Sequence, residues 1–270
     1  IMSSDWSSDV CSSDLAEGMR RTNRLKQRLA GGEQLAGLWL QSGAATLAEI
    51  AVLAGFEVVL VDNEHGPASL ETTLELVRAI EAAGGMPIVR VPWNDAVYLK
   101  RLLDLGAASV MIPMVESAEE ARAAVAACRY PPGGRRGYAT PSARAAAYGL
   151  DRDYLRHAAD DLLLILQIES AAAVAAVPEI AAVDGVDLLF LGVNDLAGSI
   201  DRLEQLDASD AAALIADAER ALRRCGAWTG TLTRPGVEPN DLYARGHRLV
   251  MGPSDLALFR DAVLAARRSF

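Results

Sequence analysis

The chain has 270 residues, 51% of them hydrophobic but only 5% aromatic, so a large core built mostly from Ala, Leu and Val is within reach of a single α/β domain. Lys plus Arg number 26 against 36 Asp plus Glu, a net charge of −10 with the basic residues scattered, which argues against nucleic acid or an anionic membrane as a partner. No apolar run approaches the roughly 20 residues that cross a bilayer, and no secretory signal is evident, so a cytoplasmic protein is expected.

In chain order, the first segment stands apart. "DWSSDVCSSDL" (5 to 15) repeats Ser-Ser-Asp without amphipathic period and looks like a translated sequencing-library adaptor joined to a truncated gene. Residues 1 to 18 are therefore read as a non-native, disordered leader, and residues 19 to 270 as the domain. The three cysteines, Cys11, Cys128 and Cys225, lack CxxC spacing and read as reduced thiols.

Eight β-like runs follow: 35 to 41, 57 to 62, 87 to 91, 108 to 113, 162 to 169, 186 to 192, 227 to 233 and 247 to 252. Between them lie Ala- and Leu-rich segments of helical period, such as 69 to 84 and 117 to 129, several with a Gly just beyond as a stop. Continuously apolar strands alternating with helices imply a parallel sheet, and eight such units in about 250 residues imply a (β/α)8 TIM barrel. An open doubly wound sheet is the alternative, but no strand is followed by a GxGxxG or GxxxxGK[ST] motif. The irregular stretch 130 to 149, "YPPGGRRGYATPSARAAAYG", falls after strand four and is long enough to suggest function.

A barrel of this kind works at the C-terminal ends of its strands, so the polar residues there are candidates. Asp62, Glu64 and His65 end strand two, Arg90 lies in strand three, Glu116 follows strand four, Gln167 and Glu169 close strand five, and Asn194 and Asp195 follow strand six. Glu169 and Asp195, carboxylates from adjacent strands, suit a hard cation such as Mg2+ or Mn2+; equally, each could cap the helix that follows it. An arginine within an apolar strand needs a partner, either a structural salt bridge or a substrate carboxylate or oxyanion. His65, in "DNEHG", could be a base, a ligand or part of a polar turn.

Taken together, "AGLWLQSG", "GFEVVLVDNEHGP", "PIVRVPWND", "KRLLDLGAASVMIPMVESAEEARAAVAACRYPPGGRRGY", "LQIES" and "DGVDLLFLGVNDLAGS" resemble, in order and spacing, the 4-hydroxy-2-oxo-heptanedioate aldolase family of metal-dependent class II pyruvate aldolases. The resemblance implies reversible aldol cleavage of a 4-hydroxy-2-oxo acid to pyruvate and a small aldehyde. It also implies a divalent cation, Mg2+, Mn2+ or Co2+, on Glu169 and Asp195. His65, Arg90 and Asp104 match catalytic residues of the family, and Trp39, Gln167, Asn194 and Asp195 match its substrate surface. A homo-oligomer, a trimer of dimers that exchanges the last helix, is implied as well. Because Asp104 falls near the end of a helix that runs away from the catalytic face, its partner His65 is expected on a neighbouring subunit. Arg135 and Arg136 are candidates to meet an acidic aldehyde. The chain departs from the family's pattern at Val193, where proline is usual, and in "IDRLEQLDASD", where a glycine is usual. A related acyl-CoA or citrate/malate lyase, or a barrel without catalysis, are the rival readings.

Overall fold

The computed structural model describes residues 20–270; the leader expected over residues 1 to 18 lies outside them. The eight expected strands all form: β1 (Leu35–Leu40), β2 (Val58–Asp62), β3 (Met86–Arg90), β4 (Ser109–Ile112), β5 (Leu163–Ile168), β6 (Leu188–Leu191), β7 (Trp228–Leu232) and β8 (Leu249–Ser254). Each pairs in parallel with its successor, and β8 closes on β1, giving the barrel that the sequence implied.

Strand parity divides the apolar residues into two layers. Val58 and Leu60, Met86 and Ile88, Leu163 and Ile165, and Leu188 and Phe190 fill the barrel interior. Their neighbours Val59, Val61, Val89, Leu164, Leu166, Leu189 and Leu191 pack outward against the helices. Gly37 and Gly230 make room for this filling, since a Cβ would come within 2.6 Å of Met251 Sδ at the first and 2.9 Å of the Phe190 ring at the second. Continuing the inward parity by one step places Asp62 beside Arg90, directly paired in register, together with Gln167 at the top of the interior.

The helix Arg24–Ala30, which the sequence reading did not anticipate, supplies Leu25 and Leu29 as the plug at the other end. Its N-cap Asn23 accepts from Lys26 N and donates Nδ2–H to Ala108 O (2.8 Å), tying the plug to the start of β4. The helices expected over 69 to 84 and 117 to 129 form as Leu70–Ala82 and Ala118–Cys128, capped by the hydroxyls of Ser69 and Ser117. Cys128 and Cys225 are unpaired thiols. No helix among the described residues is long and apolar enough to cross a membrane.

The irregular stretch 130 to 149 begins after the helix Ala118–Cys128 rather than at the end of β4, so it borders the end of the barrel opposite the mouth. Arg136 is buried there, bound to Asp104 (2.7 Å) with Tyr130 at 4.5 Å from its guanidinium carbon. Arg144 donates to Leu105 O and to Glu81. The stretch ties helices together at the barrel floor. Within one chain Arg136 is consequently out of reach of an aldehyde at the mouth, which corrects the expectation for that residue at its own site; Arg135 beside it is exposed.

Candidate functional site

The polar ends of β2, β3, β5 and β6 converge on one cavity of about 430 Å³, lined by Trp39, Gln41, His65, Arg90, Gln167, Glu169, Asn194 and Asp195, with Leu232, Thr233 and the Gly252–Ser254 segment opposite. Glu116 does not line it. Its carboxylate stands outside, exposed, while its backbone N–H donates to Glu120.

Arg90 is the most constrained of these groups. Its Nε and Nη2 donate to the two oxygens of Asp62 at 3.0 and 2.7 Å, and its Nη1 lies 2.8 Å from Glu64 Oε2 and 3.5 Å from Gln167 Oε1. The guanidinium also stands 4.6 Å from the Trp39 ring. Fork-to-carboxylate pairing of this kind fixes the plane of the arginine as well as its charge. Both readings of Arg90 therefore hold a place: it has its structural salt bridge, and it still borders the cavity. Burial opposes ionisation of Asp62, but Arg90 outweighs it and holds the carboxyl below its usual range.

Asp62 has a second task. Its Oδ1 accepts the backbone N–H of Glu64 and of His65 (3.1 and 3.2 Å), which folds "DNEHG" into a turn at the mouth. The His65 ring projects from that turn with 62% of its surface exposed, 3.9 Å from Glu64 Oε2. Gly66 is required immediately after it, because a Cβ would fall 2.2 Å from Asp62 O.

Glu169 is almost wholly buried. Its Oε1 accepts Met114 N–H at 2.7 Å and its Oε2 accepts Gln167 Nε2–H at 2.9 Å. Burial, reinforced by the charges of Asp195 and Glu64, pushes its carboxyl up to about 7. The capping alternative does not apply to Glu169, since Ser170 caps the following helix Ala171–Ala175. Asp195 sits exposed in the first turn of the short helix Val193–Gly198, whose N-cap position is Gly192. A Cβ at Gly192 would lie 2.5 Å from Glu169 Oε2, so this glycine keeps the approach between the two carboxylates open.

A divalent cation fits this donor set. One buried carboxylate whose pKa is raised by burial and then by neighbouring acids, with a second carboxylate at the cavity wall, is an arrangement that a positive charge would neutralise. Among the described residues no group of three His, Cys, Asp or Glu side chains is gathered for a metal, so the remaining ligands would be water or substrate oxygens.

Asp104 is not part of this cavity. It ends the helix Ala96–Asp104 and binds Arg136 at the opposite end of the barrel. Two residues that hold cavity side chains in place had no role in the sequence reading. Met114, at φ 52°, adopts a left-handed backbone that delivers its N–H to Glu169; nothing in its residue type signals this. Gln41 donates Nε2–H to Asp62 Oδ2 at 3.1 Å, and only its parity with Trp39 on β1 could have placed it inside.

Comparison with known proteins identifies the family and the fold. The sequence profile of the HpcH/HpaI aldolase/citrate lyase family matches residues 35–262. A 2-dehydro-3,6-dideoxy-6-sulfogluconate aldolase from Pseudomonas putida is 42% identical over 82% of this chain and 87% of its own length. A 4-hydroxy-2-oxo-heptane-1,7-dioate aldolase from Klebsiella pneumoniae is 38% identical over 91% of this chain and 90% of its own length. Among solved structures, a family protein from Burkholderia cenocepacia superposes with a TM-score of 0.86 at 37% identity, covering 92% of this chain and 99% of the other.

Proposed function

Since the chain belongs to the HpcH/HpaI aldolase/citrate lyase family, we propose that it is a pyruvate aldolase whose catalytic groups are His65 and Arg90, with a divalent cation held by Glu169 and Asp195. The reaction is reversible cleavage of the C3–C4 bond of a 4-hydroxy-2-oxo acid. Pyruvate and an aldehyde are the products.

The single observation that carries this reading is the meeting, in one cavity, of a fixed guanidinium, a protruding imidazole and a pair of carboxylates. Bound at Glu169 and Asp195, the cation would supply Lewis acidity toward the carboxylate and keto oxygens of the substrate. Arg90 adds a charge that cannot reorient, because Asp62 grips two of its nitrogens. Charge developing on the keto oxygen as the C3–C4 electron pair moves toward C2 is stabilised by that preorganised donor, and losing one such donor commonly costs about 10²–10³ in rate. His65 accepts the proton of the C4 hydroxyl, the aldehyde departs, and C3 takes up one proton to become the methyl group of pyruvate. Gln167 and the backbone at Asn194 and Asp195 orient the pyruvyl part, and Trp39 walls it. Among the described residues no lysine lines the cavity. Lys26, one of only two lysines in the chain, is bound to Asp187 and Leu162 O beneath the barrel.

The two named relatives act on compounds that differ in the aldehyde portion, and the cavity wall made by Leu232, Thr233 and Pro253 is where such a difference would be read. We place Asp104 in service of the His65 of another copy of the chain, since within one chain the two lie at opposite ends of the barrel.

Chelation tests the proposal. With pyruvate and an aldehyde panel, excess EDTA should abolish condensation and Mn2+, Co2+ or Mg2+ should restore it, while borohydride added with pyruvate should leave the enzyme active. Undiminished activity in chelator, or inactivation by borohydride, would refute the metal mechanism.

A further inference from the structure

We infer that Asp255 is a positioning residue for the aldolase site, holding Arg90 and the His65 turn in place through Gln41 and Asp62. The inference rests on the functional reading above only for its kinetic arm.

Asp255 opens the last helix, Asp255–Arg267, behind the N-cap Ser254. Its carboxylate is buried, and among the described residues no arginine or lysine is bound to it; backbone N–H groups hold it instead. Oδ1 accepts Gln41 N–H at 2.9 Å and Leu256 N–H at 2.9 Å, and Oδ2 accepts Ser42 N–H at 3.2 Å. A buried anion costs free energy unless its oxygens are met, and here two of the three donors belong to the chain leaving β1. The carboxylate therefore fixes the backbone at Gln41 and Ser42, where no strand pairing reaches: the β1–β2 register ends at Leu40.

Gln41 is the next link. With its backbone pinned, its side chain reaches across the cavity wall and donates to Asp62 Oδ2 at 3.1 Å, the same oxygen that accepts Arg90 Nη2. The other oxygen, Oδ1, takes Arg90 Nε and the N–H groups of Glu64 and His65. One carboxylate on the last helix is thus two side chains away from both catalytic groups. Asp62 has no further freedom, being buried with every oxygen engaged, so a shift of Gln41 is passed to Arg90 rather than absorbed.

Amide hydrogen exchange of the whole protein, read by mass spectrometry, tests the linkage without any assay of activity. Asp255→Ala should raise exchange both at 41–42 and at 62–66, and Gln41→Ala should raise it at 62–66 while leaving 256–258 protected. Asp255→Asn, which keeps one acceptor oxygen for Gln41 N–H, should fall between. Kinetically, Asp255→Ala and Gln41→Ala should each lower kcat per folded molecule by about tenfold with KM for pyruvate little changed, and the double variant should be no worse than the poorer single one. Increased exchange confined to 41–42 and 255–258, with 62–66 unaltered, would overturn the inference, as would multiplicative kinetic losses. A wild-type protein inactive on every aldehyde would count against the functional reading alone, because the exchange arm still decides the linkage.

Discussion

Glu169 shows at the scale of one residue how function and stability oppose each other. A carboxyl raised from about 4.5 to about 7 is destabilising wherever it is ionised in the folded chain, by roughly 3 kcal/mol for a shift of that size. The cost is present above pH 7 and absent below the ordinary carboxylate range, and a bound cation would relieve it. Glu169→Gln should therefore lose activity and metal binding yet raise the melting temperature of chelator-treated protein at pH 8 by a few degrees, part of the gain being offset by the amide now facing Gln167. Calorimetry decides this, and a lower melting temperature would mean that the carboxylate is needed for folding. Residue type marked Glu169, Arg90 and His65 as candidates in the sequence but left each a bland alternative, a helix cap, a salt bridge or a polar turn, and it was the resemblance to a known family that chose among them. Met114 and Asp255 were not legible. One acts through its backbone N–H and the other through bonds to backbone N–H groups, and neither leaves a mark that composition or spacing can report.

At the scale of elements, the strands were readable to within a residue or two because each is a short apolar run closed by a polar group or a turn. The short helices were not. Val193–Gly198 and Pro239–Ala244 are six residues each, too brief for a helical period to show. Left-handed φ values of 61° at Asp201 and 59° at Glu204 are carried by non-glycine residues in the very segment where the family's usual glycine is missing. The turn from Pro239–Ala244 into β8 hides another liability. His247 is buried there with neither ring nitrogen hydrogen-bonded to the described residues. Burial lowers its pKa from 6.5 to about 4; Glu219 opposes the shift and the nearby arginines add to it. The ring folds neutral, so the unfolded chain binds more protons between pH 4 and 6.5. Stability is then intact above pH 6.5 and declines as pH falls toward 4, by about 3 kcal/mol in total. His247→Leu should flatten that acid limb: between pH 7.5 and pH 5 its melting temperature should drop several degrees less than that of the wild type. Equal drops would show that other groups carry the proton uptake.

At the scale of the whole molecule, two features of the chain are not explained by the contacts one copy makes with its own mouth. One is the last helix, whose Leu256, Phe259 and Val263 recur at helical spacing on an exposed face, Phe259 with 66% of its surface open. The other is Asp104, separated from His65 by the length of the barrel. Both are accounted for if copies of the chain associate, with the apolar helix face covered and an Asp104 brought to a His65 of another copy. A hybrid experiment discriminates this from a single-chain enzyme. His65→Ala and Asp104→Asn should each be nearly inactive as pure proteins, and the second should stay folded, since an amide can still accept from Arg136. Dissociated, mixed and reassociated, the two should recover activity, because some sites in the hybrids then combine an intact His65 from one chain with an intact Asp104 from another. Phe259→Glu, which places charge on the helix face, should yield smaller particles by light scattering and prevent that recovery. If Asp104 serves only its own chain, mixing restores nothing; if it serves only to hold Arg136, Asp104→Asn loses melting temperature but keeps its kcat.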